Sequence, residues 1–302
     1  MQPGSLMPAH ESRLAAMHYG ALGGSTSLIV GGRAYIRASP RAVDCGSVVS
    51  RHSVVILEPG AYVDLRVDLE PGSGPLDLSF VELVLGEGSA ANVLIGVRAA
   101  GPSPSASGLR AALGRGSRLN YALLGSGDRM HRQDDRMVLG PASSLRSGAF
   151  LISRRGAGVD RFLGVEHSGE DSSSSASAVG IALDGGYVVV RGLVSIGEGA
   201  ARSRADFTAG VALLGEGARG HAAPMLEVHT GDVLEARHHS FEAKPGPDQL
   251  FYLRSRGLSE PEARDLIITG FAESQLGALE GRLAQEGAGL LRDLVRLIGD
   301  DA

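Results

Sequence analysis

The sequence predicts a mainly β fold, a parallel β-helix or solenoid, followed by a small α-helical domain. Three observations carry this. From about Ser27 to Glu235 the chain is made of short apolar runs, many with strict alternation, such as Val63, Leu65, Val67 and Leu69 against Asp64, Arg66 and Asp68. A period of two gives each strand one buried face. The runs end in turns of one kind: Gly86-Glu87-Gly88-Ser89, Gly114-Arg115-Gly116-Ser117, Gly156-Ala157-Gly158, Gly197-Glu198-Gly199-Ala200 and Gly215-Glu216-Gly217-Ala218. Recurrence of one turn along the chain is what the coil turns of a solenoid give. Finally, after Glu235 the pattern becomes helical. A sandwich or barrel would also supply short strands, but repetition of one Gly-x-Gly-small turn favours the solenoid.

In chain order, Pro8 to Tyr19 reads as a short helix with Leu14, Met17 and His18 on one side, ended by Gly20 and the Gly23-Gly24 pair. Strand runs follow at Ser27–Val30, Ser53–Leu57, Tyr62–Val67, Leu78–Leu85 and Asn92–Val97. Two polar stretches, Gly101–Gly108 and His167–Ala178, read as surface loops. Asp248 reads as the cap of a helix through Arg254, with Gly257 as its stop. Ser259 and Glu262 form a capping box with Pro261 in the tolerated first turn, opening a helix with Leu266, Ile267 and Phe271 on its apolar side. A last helix over Ser274–Ile298 carries a leucine stripe. The expected division is an N-terminal segment over 1–26, a β-helix core over 27–240 and a helical domain over 241–302.

Composition bounds the function. The chain has 302 residues, 43% hydrophobic and 21% charged, which describes a globular protein. A net charge of −5 gives no reason to expect nucleic acid, and 4% aromatic content with no Trp disfavours a sugar- or base-stacking surface. The single cysteine, Cys45, allows no disulfide within the chain, consistent with a reducing cytoplasm, and cannot by itself hold an iron–sulphur cluster. Met1 to Gly20 lacks a basic run followed by an apolar core, and no apolar stretch is long enough to span a bilayer. A cytoplasmic protein without membrane partners is therefore expected. No Gly-Lys-Ser/Thr P-loop and no Gly-x-Ser-x-Gly elbow is present.

The residues that could bind a metal gather at the β-to-helix junction. His238 and His239 are adjacent, so in a strand they face opposite ways, with Glu235, Arg237 and His239 on one face. Glu227 and His229 share a face upstream, and stacking could bring them near the Glu235–His239 strand as a site for iron or zinc. A solvated polar strand is the plainer reading of each residue. Cys45 reads as a reactive thiol, with His52 seven residues on, or as a small buried apolar residue, which is the commoner case.

The run Asp248-Gln249-Leu250-Phe251-Tyr252-Leu253-Arg254-Ser255-Arg256-Gly257-Leu258-Ser259 and its continuation through Ala263 to Gly270-Phe271 resembles the C-terminal signature of the SufB/SufD family of the Suf iron–sulphur cluster assembly machinery. Residues 165–272 carry the resemblance, and the earlier β-region shares its texture. The resemblance implies a right-handed parallel β-helix with a small helical domain, acting as a non-enzymatic assembly scaffold. It implies docking of the ABC ATPase SufC through Asp248–Phe271, and pairing through the β-helix with itself or a second SufB/SufD-like chain. It also implies a transient cluster or iron at that dimer interface, held tightly by neither chain alone. By position His238 matches the family's interface histidine and Lys244 a basic residue of its turn; Glu235, His239 and Cys45 are further cluster candidates. Arg237 and His239 stand where SufB has glutamates, and no cysteine occupies the coil near Phe207–Gly210. A SufD-like structural partner is the alternative this raises. A β-helix enzyme acting on carbohydrate is a third reading from another class.

Overall fold

The computed structural model describes residues 6–22, 25–39, 48–70, 74–99, 103–127, 129–244 and 247–299. Its strands form two eight-stranded sheets. Sheet A holds β1 (Ser25–Val30), β3 (Val49–Leu57), β5 (Asp77–Leu85), β7 (Ser105–Leu113), β9 (Met130–Leu139), β11 (Gly158–His167), β13 (Tyr187–Ile196) and β15 (Arg219–Val228). Sheet B holds β2 (Arg33–Ala38), β4 (Tyr62–Leu69), β6 (Ala90–Ala99), β8 (Arg118–Gly127), β10 (Ser144–Ser153), β12 (Ser173–Leu183), β14 (Ser203–Leu214) and β16 (Val233–Ala243). The chain alternates between sheets, so each strand pairs in parallel with the strands two before and two after it. This is a parallel β-solenoid. The inward residues stack in columns, one running Ile36, Leu65, Val93, Tyr121, Ser147, Ala176, Phe207 and His238.

The repeated turns are the corners. At Gly86–Ser89 the Ser89 N–H donates to Gly86 O (3.1 Å) and Gly88 has φ 63, a type II turn that needs a left-handed residue at its third position. That residue's N–H is free of its own turn and donates to the next corner. Gly60 donates to Glu87 O, Gly88 to Arg115 O, Gly116 to Pro141 O, Ala142 to Glu170 O, Asp171 to Ala201 O and Arg202 to Asp232 O, all within 2.8–2.9 Å. Ser89, Ser117, Ser143 and Ser172 line the inside of this corner, each hydroxyl donating to the carbonyl three residues back.

Among the described residues there are four helices, most of them packed on the solenoid. The first, α1 (Arg13–Ala21), is capped by Ser12 and lies against sheet A, where Met7 and Ala15 pack with Leu78 and Phe80. α2 (Pro247–Ser255), α3 (Glu260–Leu276) and α4 (Gly281–Gly299) follow β16. α3 and α4 bury Ile268, Ala272, Leu283, Leu290 and Leu294 on the outer face of sheet B, against Leu94, Leu124, Phe150 and Ile152. The capping box at Ser259 is present, with Glu262 accepting from the Ser259 N–H at 2.7 Å. No helix among the described residues is long and apolar enough to cross a membrane.

Five local expectations are corrected. Pro247 takes the first helical position, so Asp248 falls inside the first turn of α2 and does not precede it. The expected last helix starts later: Ser274 to Leu276 belong to α3, and α4 opens at Gly281 after a break at Gly277–Glu280; the close approach of Gly287 to the Leu276 side chain shows α4 folding back on α3. Met17 is 45% exposed while His18 is buried, because His18 has polar partners beneath it. On α3, Leu266 faces out and Ile268 faces in. Both polar stretches enter the solenoid: Ser105 opens β7, and the serine run forms β12. The reason in the second case is His167, buried inside the solenoid with Nδ1 2.8 Å from Ser172 Oγ and Nε2 2.8 Å from Ser174 Oγ. Serines satisfy an interior imidazole that aliphatic residues would strand.

Two outcomes follow. A Cβ at Gly148 on β10 would collide with the Gln275 carbonyl of α3. Gly148→Ala should therefore push α3 off sheet B and destabilise by about 1–3 kcal/mol, read as a lowered Tm; an unchanged Tm would mean α3 does not seat there. Burial also holds His131 and His167 at about 4. Unfolded histidine has a pKa near 6.5, so the unfolded chain takes up protons first as the pH drops. The stabilisation is complete above that value and declines by about 1.4 kcal/mol per residue per pH unit down to the folded pKa. Melts across this window should show a steady fall in Tm, and a flat profile would contradict neutral buried histidines.

Candidate functional site

The last rung carries the residues singled out at the junction. β15 and β16 end their sheets, and both are largely exposed. The register from β14 to β16 shifts once: Ser203 pairs with Val233, and the next residue, Arg204, pairs with Glu235. Leu234 is the extra residue of a β-bulge, 51% exposed. A bulge exchanges the two faces for every residue after it. Val233 and Ala236 consequently both pack toward the core, although three apart.

His238 is placed by this shift. It pairs with Phe207, the fully buried end of an inward column, so it sits on the inward face where no further rung covers it, and it is exposed. His239 pairs with Thr208 on the outer face, also exposed. Glu235 shares that outer face and is engaged by Arg237 at 3.1 Å and Arg204 at 3.8 Å. Glu227 and His229 form a pair of their own at 3.8 Å, with Glu227 on the outward face of sheet A. Glu227 thus faces outward on sheet A, and Glu235 and His239 face outward on sheet B. Among the described residues no three His, Cys, Asp or Glu side chains converge on a point that could hold a metal. Cys45 lies outside the described residues. Among the described residues, the imidazole of His238 stands at the open end of the inward column with no cysteine beside it.

The helical half separates into exposed and supporting groups. Phe251 and Tyr252 of α2 are 72% and 56% exposed, and Leu266 of α3 is 53% exposed. Arg254 and Arg256 are exposed, the latter 5.2 Å from the Tyr252 ring. Ser259 caps α3, Gly257 makes the connecting turn with φ 96, and Ala263 is fully buried. Phe271 stacks on Phe241 of β16 at 6.1 Å, tying α3 to the last rung. Asp248, Gln249 and Leu250 lie in α2.

Two polar groupings escaped the sequence reading. Inside the solenoid, Arg51 pairs with Asp77 (2.6 Å), Ser105 bonds His131 (2.8 Å), and Asp135 accepts from Gln133, Tyr121 and Arg161 within 2.6–2.8 Å. Burial first, then Asp135, pushes the Tyr121 hydroxyl well above its ordinary pKa. The polar residues at inward positions of β9 (His131, Gln133, Asp135) were the available signal, but alternation alone does not say which set faces inward. Beneath α1, Ser50 Oγ lies 2.6 Å from His18 Nδ1, His18 Nε2 lies 2.7 Å from His52 Nδ1, and His52 Nε2 lies 3.3 Å from Glu82. Burial, then the neighbouring His52, lowers His18 to about 4. These residues join across 30 to 34 positions of sequence, beyond the reach of any local pattern.

Residues 40–271 match the family model described as SUF system FeS cluster assembly, SufBD core domain. The "Iron-sulfur cluster assembly SufBD family protein" of Staphylococcus saprophyticus is 36% identical over 107 residues, covering 35% of this chain and 23% of that protein. The proteins of the same description from Staphylococcus aureus and Staphylococcus epidermidis are 29% identical over 137 residues, covering 45% of this chain and 29% of theirs. The match thus spans less than a third of the length of these curated relatives.

Proposed function

The chain belongs to the SufBD family of iron–sulphur cluster assembly proteins, and we propose that within it this protein is a scaffold subunit that docks a SufC-type ABC ATPase through α2 and α3 and pairs through its last rung with itself or a second SufB/SufD-like chain. The observation that carries the docking half is the helix pair itself. Phe251, Tyr252 and Leu266 are large apolar groups exposed together on helices whose own supports, Ala263 and the Phe271–Phe241 stack, are buried or half-buried. Exposed aromatics on a braced frame suit a partner surface.

The pairing half follows from the open rung. Two copies meeting at β15 and β16 would cover the strand edges and bring two His238 imidazoles to one interface. ATPase closure would then shift that interface between a sealed and an open state, loading or releasing the cargo. A second reading, a SufD-like structural partner without its own cluster site, is favoured by one fact: no cysteine lies anywhere after Cys45 in the chain. Either reading is an assembly role, in a cytoplasmic setting.

Co-expression with a SufC-type ATPase should give a complex that survives gel filtration. Phe251→Ala with Tyr252→Ala should weaken it at least about tenfold while leaving Tm unchanged, since both side chains are exposed. No complex with the parent protein, or one indifferent to the double variant, would remove the docking assignment. Anaerobic reconstitution with iron and sulphide separates the two readings. A scaffold should develop a charge-transfer absorbance that His238→Ala loses; a structural partner should bind the ATPase and stay colourless.

A further inference from the structure

Resting on the docking reading and deepening it, we propose that Phe241 is a positioning residue: held between Gly210 of β14 and Phe271 of α3, it ties the last strand to the seat of the docking helices. Phe241 lies on the outer face of β16, opposite Gly210. Gly210 has no side chain, and the far edge of the Phe241 ring fills the space that a Cβ there would need. From the other side Phe271 stacks on this ring, with centroids 6.1 Å apart and planes 15° apart. Any larger residue at position 210 would drive the ring out of its seat. Both rings are half-buried, so neither is held by the core itself.

The strand that this contact holds has little else to fix it. Among the described residues β16 pairs within its sheet with β14 alone, while the strands between β16 and β2 have a neighbour on both sides. The bulge at Leu234 interrupts its ladder near the start, and none of its residues is fully buried. An edge strand of this kind opens locally at a lower free energy than its neighbours. α3, by contrast, is firmly seated on the sheet. Its Ile268 and Ala272 are buried in one cluster with Ile181 of β12 and Ala212 and Leu214 of β14, and its Gln275 carbonyl sits over Gly148 of β10. One helix therefore grips the interior strands with aliphatic residues and reaches the last strand with Phe271. Offset aromatic pairs stabilise beyond the area they bury. The covalent chain adds a second tie, since β16 ends at Ala243 and α2 begins at Pro247. His238 lies on the same strand as Phe241, so whatever fixes Phe241 also fixes the strand that carries this imidazole to the open end.

Amide hydrogen exchange of the full chain, read strand by strand, tests this. Phe271→Ala should speed exchange in β16 about tenfold relative to β12. Gly210→Ala, which displaces the ring from the opposite side, should do the same, and Phe271→Tyr, which keeps a ring in place, should hold the parent ratio. Leu283→Ala empties part of the buried cluster of α4 away from the stack; it should lower Tm and leave the ratio unchanged. A parent ratio in Phe271→Ala, or an equal rise in Leu283→Ala, would overturn the tie. Saturating SufC-type ATPase should slow β16 exchange about tenfold in the parent chain and leave it unchanged in Phe271→Ala. A complex that forms without altering β16 exchange in the parent would overturn the inference while docking stands. A parent chain that forms no complex would overturn the docking reading instead, and the comparison of free chains still decides whether α3 holds β16.

Discussion

The left-handed corner is the constraint on which the rest depends. Each rung must turn sharply without spending its backbone donors, and a residue at positive φ achieves this by pointing its N–H along the solenoid axis. From Gly60 to Arg202 every such donor meets the carbonyl of the following corner, so the turns form a ladder of their own beside the two sheets. Register in both sheets is thereby pinned at the end of each strand, and inward columns stay aligned from Ile36 to His238. Glycine supplies the conformation at Gly60, Gly88 and Gly116; Ala142, Asp171 and Arg202 adopt it at a cost, which the corner bonds offset.

This geometry explains which parts of the fold were legible in the sequence. Glycine turns and alternating runs are local, and both were visible. The change to helix after β16 was also visible, because caps such as Ser259–Glu262 are local too. Interior polarity was not. Ser172 and Ser174 are tolerated inside because His167, on the strand before, needs hydroxyl partners, and the inward set on β9 is tolerated because Arg161 and Tyr121 arrive from neighbouring strands. A single strand read alone carries neither fact. The break between α3 and α4 was expected but placed too early: the leucine stripe continues across it, and only the return of α4 onto sheet B shows that α3 runs on to Leu276.

The two faces of the protein are consequently unequal. Sheet B is covered by α3 and α4 across much of its length, with Glu286 of α4 reaching Tyr35 and Arg66 on the first rungs. Sheet A carries α1 near its start, and further along an outer ion-pair ladder in which Asp160 joins Arg132 and Arg191. The corners that lead from sheet B back to sheet A are reached by α3, whose Arg264 lies 3.4 Å from Asp184.

The bulge at Leu234 bears most directly on chemistry at the open end. Continued alternation from Val233 would put His239 on the inward face and His238 outside. One inserted residue reverses this and sets His238 beyond Phe207, at the mouth of the column. The edge there is lined by Glu235, Arg237, His238, His239 and Glu242, and charged or polar edges resist indiscriminate strand pairing. Any chain that covered this rung would have to answer those charges. The bulge decides which of the two adjacent histidines stands at the centre of the open end and which on its outer face.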